Sequence, residues 1–110
     1  MVARVTLAEV DSVRMSVEEA IERFHDLVVP VLREQEGYEG FFLLSTPEGK
    51  GLVLTFWESP EAADQSVATG YYAEQIEKFV TFFRAPPGRE QYEVVLAEAP
   101  VTAARAGGPS

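Results

Sequence analysis

At 110 residues, with no cysteine and a formal charge of −9 from 18 acidic and nine basic side chains, the chain has length for one hydrophobic core and needs neither disulfides nor a structural metal. That charge repels phosphate backbones and anionic lipid with no basic stripe to offset it, which sets nucleic acid aside as a partner. Met1–Thr6 shows no basic region leading into an apolar core and no apolar run approaches the ~20 residues of a membrane span, so a soluble, cytoplasmic domain is expected.

Val2 to Val10 is β-branched and apolar, lacks Gly and Pro, and reads as a first strand ended by Asp11-Ser12. Ser16 followed by Glu19 is a capping-box signature and predicts a helix from Ser16 to a stop at Gly37. Within it Val17, Ala20, Ile21, Phe24, Leu27, Val28, Val31 and Leu32 form one apolar stripe, Glu18, Glu19, Glu22 and Asp26 a solvated face, and Pro30 a solvent-side bend. Gly40–Thr46, Pro47–Lys50 and Gly51–Trp57 read as strand, turn and strand. Ser59-Pro60-Glu61 opens a second helix with a cap, a proline at the first helical position and an acid in the first turn.

Gly70 interrupts that helix, after which Tyr72, Ala73, Ile76, Phe79, Val80 and Phe83 restart an apolar stripe. Tyr71, Gln75, Lys78 and Phe82 fall on the opposite side, read as a solvent or dimer-contact face. Pro86-Pro87-Gly88 breaks the pattern, and Glu90 to Ala99 reads as a last strand. One domain over residues 1–99 is expected, with a flexible tail over 100–110, rich in Ala, Gly and Pro.

The order is βαββαβ, a ferredoxin-like α+β fold with a four-stranded antiparallel sheet. In the hairpin Phe41, Leu43, Leu52, Leu54 and Phe56 supply one parity and Phe42, Leu44, Val53 and Trp57 the other, so both sheet faces must leave water. Two helical segments cover one face. A second copy is the simplest cover for the other, giving a homodimeric α+β barrel, with a different protein or a bound ligand as alternatives.

This element order, the Gly37-Tyr38-Glu39-Gly40 loop leading into Phe41-Phe42-Leu43-Leu44, and Phe56-Trp57-Glu58-Ser59-Pro60-Glu61-Ala62 together resemble the antibiotic biosynthesis monooxygenase domain of the dimeric α+β barrel superfamily. The resemblance runs from about Val2 to Ala99. It implies a hydrophobic pocket between sheet and helices and, in one branch, cofactor-free oxygenation of phenolic or quinol substrates. In the haem-degrading branch the iron-binding histidine and the catalytic tryptophan fall, on a gap-free alignment from Trp57, at Ile76 and Ser66. The first-strand asparagine of that branch has no match between Val2 and Val10, so the resemblance does not extend to haem degradation.

His25, the single histidine of the chain, is the candidate general base, weighed against an idle histidine at a helix edge. Trp57, Tyr71 and Tyr72 are candidate substrate-stacking residues and Arg84 a candidate oxyanion stabiliser, with core or surface roles as the plain alternative. No metal constellation and no phosphate cradle is visible, and no cofactor is expected. The function expected is a small cofactor-independent monooxygenase acting on a planar phenol or quinol. A non-catalytic small-molecule-binding or stress-associated dimeric module is the alternative.

Overall fold

A computed structural model describes residues 1–79, 82–84 and 87–98. The expected tail over 100–110, Ala99 and Val80 lie outside the described residues. Four strands, β1 (Val2–Glu9), β2 (Tyr38–Ser45), β3 (Lys50–Trp57) and β4 (Gly88–Glu93), form one antiparallel sheet in the order β2-β3-β1-β4. The helical segments are α1 (Val17–Arg23), α2 (Val29–Leu32), α3 (Pro60–Ala68) and α4 (Tyr71–Glu77). This is the ferredoxin-like α+β arrangement expected, in which β1 is central and binds both β3 and β4.

Local chemistry sets the helix starts. Ser16 Oγ accepts from the Glu19 N–H at 3.1 Å, and Ser59 Oγ accepts from the Ala62 N–H at 3.1 Å with Pro60 directly after the cap. Gly70, at φ 87°, divides α3 from α4 in a conformation that a side chain disfavours. Gly37 is at φ 80°, and a Cβ there would stand 2.4 Å from the Ala62 Cβ, so only glycine lets the chain pass beneath α3 on its way into β2.

The first helix departs from expectation in its middle. Phe24–Val28 forms a π turn in which the Val29 N–H donates to the Phe24 carbonyl, five residues back. Pro30 has no N–H for the Asp26 carbonyl, so the regular ladder fails just there. The extra residue in the turn rotates the apolar stripe: Leu27, expected in the core, is 42% exposed, whereas Val29 is 2% exposed. Lys78 Nζ caps the Leu27 carbonyl at 2.8 Å and so ties this turn to the end of α4.

Two further expectations are corrected. β4 runs Gly88–Glu93, and Val95 and Leu96 lie exposed beyond it, because β1 starts at Val2, whose partner is Glu93, and the last backbone bond joins Val94 N–H to Met1 O. The hairpin register pairs Phe42 with Leu54 and Leu43 with Val53. One face therefore carries Phe41, Leu43, Val53 and Trp57 and the other Phe42, Leu44, Leu52, Leu54 and Phe56, regrouping the residues across the turn. Both faces remain apolar.

The helices lie on the first of these faces, where Val2, Leu32, Trp57, Ala63 and Tyr71 form the buried cluster. On the second, Leu44 is 50% exposed, Leu7 46% and Phe42 39%. No helix among the described residues is long and apolar enough to cross a membrane.

Candidate functional site

Between sheet and helices lies a cavity of about 140 Å³, partly open to solvent. Its floor is the helix-facing side of the sheet: Arg4, Thr6 and Ala8 from β1, Gly51, Val53, Thr55 and Trp57 from β3, Leu43 and Ser45 from β2. Its roof is Val17, Ile21, Phe24 and Val28 from the first helix and Tyr71, Tyr72, Gln75, Ile76 and Phe79 from α4 and the residues following it. The space exists because the middle of the floor is built from Thr, Ala, Gly and Ser, whose side chains are too short to reach the roof. Ligand sites elsewhere are likewise mostly apolar with a few placed polar groups.

Hydrogen bonds fix the polar edges. Trp57 Nε1 donates to Thr55 Oγ1 at 2.9 Å, and Thr6 Oγ1 and the Tyr72 hydroxyl share a bond of 2.9 Å. Gln75 Nε2 donates to the Tyr71 carbonyl at 3.4 Å while its Oε1 accepts from Lys78 Nζ at 2.9 Å. Burial raises the Tyr71 phenol well above its ordinary pKa, against the weaker opposing pull of Arg4, so it stays a neutral hydrogen-bond donor.

Arg4 is the one charged residue in the walls among the described residues, although the chain holds 18 acids. It is 2% exposed. One terminal nitrogen donates to the Ala63 carbonyl, and the guanidinium carbon lies 5.2 Å from the ring centres of both Trp57 and Tyr72. Its Nε is the only buried side-chain nitrogen or oxygen without a hydrogen-bond partner among the described residues. Burial lowers the guanidinium pKa from its ordinary value, but arginine remains charged in proteins. A buried charged donor left without a partner costs about 1–3 kcal/mol or more.

The family model for antibiotic biosynthesis monooxygenases matches residues 5–78, most of the cavity floor and roof included. The chain belongs to the antibiotic biosynthesis monooxygenase family. Solved structures agree on the fold. A monooxygenase from the gene ActVA-Orf6 of Streptomyces coelicolor, in complex with nanaomycin D, superposes with a TM-score of 0.73 at 20% identity over 90% of this chain and 91% of that one. The protein of unknown function NE2512 from Nitrosomonas europaea gives 0.69 at 20% identity over 91% and 94%. SnoaB, a cofactor-independent oxygenase from Streptomyces nogalater solved as its N63A mutant, gives 0.67 at 12% identity over 87% and 94%. A search of curated proteins returned no match.

Of the residues that sequence and family resemblance single out, the structure brings Trp57, Tyr71 and Tyr72 to the cavity. Trp57 is fully buried. Tyr71 and Gln75 were expected on the outer face of α4 but are buried, while Ala73, expected in the core, is exposed. The inward stripe keeps Tyr72, Ile76 and Phe79 of the expected set and adds Tyr71 and Gln75 in place of Ala73.

His25 and Arg84 are not at the cavity, which corrects the expectation that they serve it. His25 lies on the outer side of the π turn, largely exposed, its Nδ1 3.0 Å from Asp26 Oδ1. Arg84, half-exposed, pairs with Glu9 at 3.5 Å, and its N–H donates to the Glu9 carbonyl beside the end of β1. Ile76, at the position of the haem branch's iron ligand, is an apolar wall residue, and the walls hold no imidazole, thiolate or thioether among the described residues. They do not fit a haem iron that needs such a ligand. Among the described residues no group of three or more His, Cys, Asp or Glu is placed to hold a metal ion.

Proposed function

We propose that the cavity binds a small planar phenol or quinol and presents it to dioxygen, so that the protein acts as a cofactor-independent monooxygenase. One observation carries this reading: an apolar cavity walled by Trp57, Tyr71 and Tyr72, with a single buried cation, in a chain of a monooxygenase family. The neighbour described as a cofactor-independent oxygenase supports it by analogy of fold.

In such a reaction the substrate hydroxyl loses its proton to water. The electron-rich ring carbon opposite, bearing one hydrogen, bonds to dioxygen, and the peroxide takes up a proton to form a hydroperoxide. Loss of water breaks the O–O bond and leaves a carbonyl. One oxygen atom enters the product, the other departs as water with the ring carbon's hydrogen and a proton that replaces the one lost from the hydroxyl, and all four electrons come from the substrate, so no reductant is consumed. The protein's part is to hold the ring flat, exclude bulk water and stabilise negative charge. Metal-stripped protein should take up oxygen with at least one member of a panel of anthrones, quinols and catechols, and place one labelled atom from ¹⁸O₂ in the product. No uptake across the panel ends this reading.

The walls contain no carboxylate or imidazole among the described residues, which favours a second reading, a non-catalytic module that stores or carries the same kind of molecule. Tight ligand binding without oxygen uptake would decide for it.

We further infer a homodimer through the open sheet face, because Leu7, Phe42, Leu44 and Tyr92 stand exposed there beside Leu52, Leu54 and Phe56. Leaving each large side chain wet forfeits about 1.5–3 kcal/mol of burial. Sedimentation should give a particle of twice 12.1 kDa, and a monomer at micromolar concentration would overturn the inference.

A further inference from the structure

We propose that Arg4 is an oxyanion seat: the ligand binds as an anion, its charged oxygen accepting from the Arg4 guanidinium at the floor of the cavity. This rests on the reading of the cavity as a substrate pocket, and adds the charge state of the substrate and the residue that selects it.

The hydrogen-bond inventory of the guanidinium is the first support. The Ala63 carbonyl that accepts from Arg4 also accepts from Ser66 Oγ at 2.7 Å, so it does not need Arg4 to be satisfied. Trp57 and Tyr72 lie against the guanidinium. The bond to Ala63 uses one of the five guanidinium donors, and Nε is buried without a partner. An arginine kept for structure would be expected to meet a carboxylate, and no carboxylate lines the cavity among the described residues.

The surrounding field is the second support. Arg89, on β4 opposite Thr6, places its guanidinium 5.0 Å from the Tyr72 ring centre and further opposes the Arg4 charge, with Asp64 acting more weakly in the other direction. Two cations therefore flank Tyr72 in a chain of net charge −9. An acidic protein has no general attraction for anions, so selection must be local, and these two residues concentrate positive potential at the sheet floor.

Size limits the buried part of the ligand. About 140 Å³ is close to the ~150 Å³ that holds one benzene ring in an engineered protein cavity. One aromatic ring with its ionised oxygen at Arg4 fills the space, and any larger planar body extends through the open side.

The probes are 4-nitrophenol, whose neutral and ionised forms differ in colour, and its methyl ether 4-nitroanisole, which cannot ionise. The wild-type protein should bind nitrophenolate at least tenfold more tightly than the ether, and bound probe should stay in its coloured, ionised form to lower pH than free probe. Arg4→Gln and Arg4→Met should lose that preference and keep or raise the melting temperature, since each removes an unpaired buried charge. Arg4→Lys should retain part of the preference. Wild-type protein that binds the ether as well as the phenol, or binds neither, overturns the proposal, as does an Arg4→Gln protein with preference intact. The probe pair on wild-type protein decides alone if a variant fails to fold. Benzoate forms a third arm: tighter binding than nitrophenolate assigns the seat to aromatic carboxylates, weaker binding to phenolates, and either supports it when Arg4→Gln abolishes the binding. Oxygen uptake enters none of these measurements. A protein that binds nitrophenolate through Arg4 yet consumes no oxygen keeps the seat and loses the oxygenase reading; one that consumes oxygen indifferently to Arg4 does the reverse.

Discussion

On the helix-facing side of the sheet the two central strands carry Arg4, Thr6, Ala8, Gly51 and Thr55; on the other side they carry Val5, Leu7, Leu52, Leu54 and Phe56. Apart from Val2, Val53 and Trp57, the covered side of these strands has the small and polar residues, and the uncovered side has the bulk. A lone domain with a conventional core has the opposite distribution, because large side chains gain most from leaving water. Small residues under a helical roof leave a void that a ligand can enter, and large residues on a bare face call for another surface. On the proposed reading the contrast separates two tasks, binding on one side and assembly on the other, residue by residue along each strand.

The contrast can be broken first at Leu54, which sits between Val5 and Phe42 on the open face. Leu54→Lys should weaken self-association a thousandfold or more, about 4 kcal/mol, read by sedimentation across a concentration series. Gly37→Ala probes the covered side, where φ 80° and the close Ala62 Cβ leave no room; an unfolding free energy lower by about 2–4 kcal/mol is expected in urea titration. A sharper contrast comes from sequence neighbours that face opposite ways. Ala8→Leu should fill the cavity and weaken nitrophenolate binding tenfold or more while moving stability by less than about 1 kcal/mol, whereas Leu7→Ala should weaken association and leave that binding unchanged. The smallest effect is alkaline. Burial holds the folded-state pKa of Tyr71 above its unfolded value near 10, so the unfolded chain releases that proton first. Its contribution is complete below about pH 10 and is lost as pH rises beyond it, by at most about 1.4 kcal/mol per pH unit. Tyr71→Phe should flatten that slope in chemical denaturation between pH 9 and 11.

Features fixed by neighbouring residues were legible in the sequence. Ser16, Ser59-Pro60 and Gly70 mark helix boundaries through bonds and dihedrals that span a few residues, and the two-sided oiliness of the hairpin needs only strand periodicity. What failed depends on register or distance. The grouping of Phe41–Leu44 with Leu52–Trp57 requires knowing which residues pair across the turn, and the phase of α4 depends on how Gly70 aims it. Tyr71 and Tyr72 do line the cavity, but His25 was chosen for its chemistry and sits where the π turn points it outward. Arg4 was missed because one basic residue in a strand reads as solvent-facing. A signal was present: if both faces of β1 leave water, an arginine in its middle has no way out, and its burial demands a purpose.

The π turn has a consequence for chain length. A π turn is one surplus residue within an otherwise regular helix, so the winding before and after it is already in phase for a helix shorter by one. Deleting His25, with Pro30→Ala to restore the missing donor, should yield an unbroken helix that still aims Phe24 at Phe41 and Leu32 at Trp57. The residue whose chemistry first suggested catalysis would then be dispensable not merely as a side chain but as a link in the backbone.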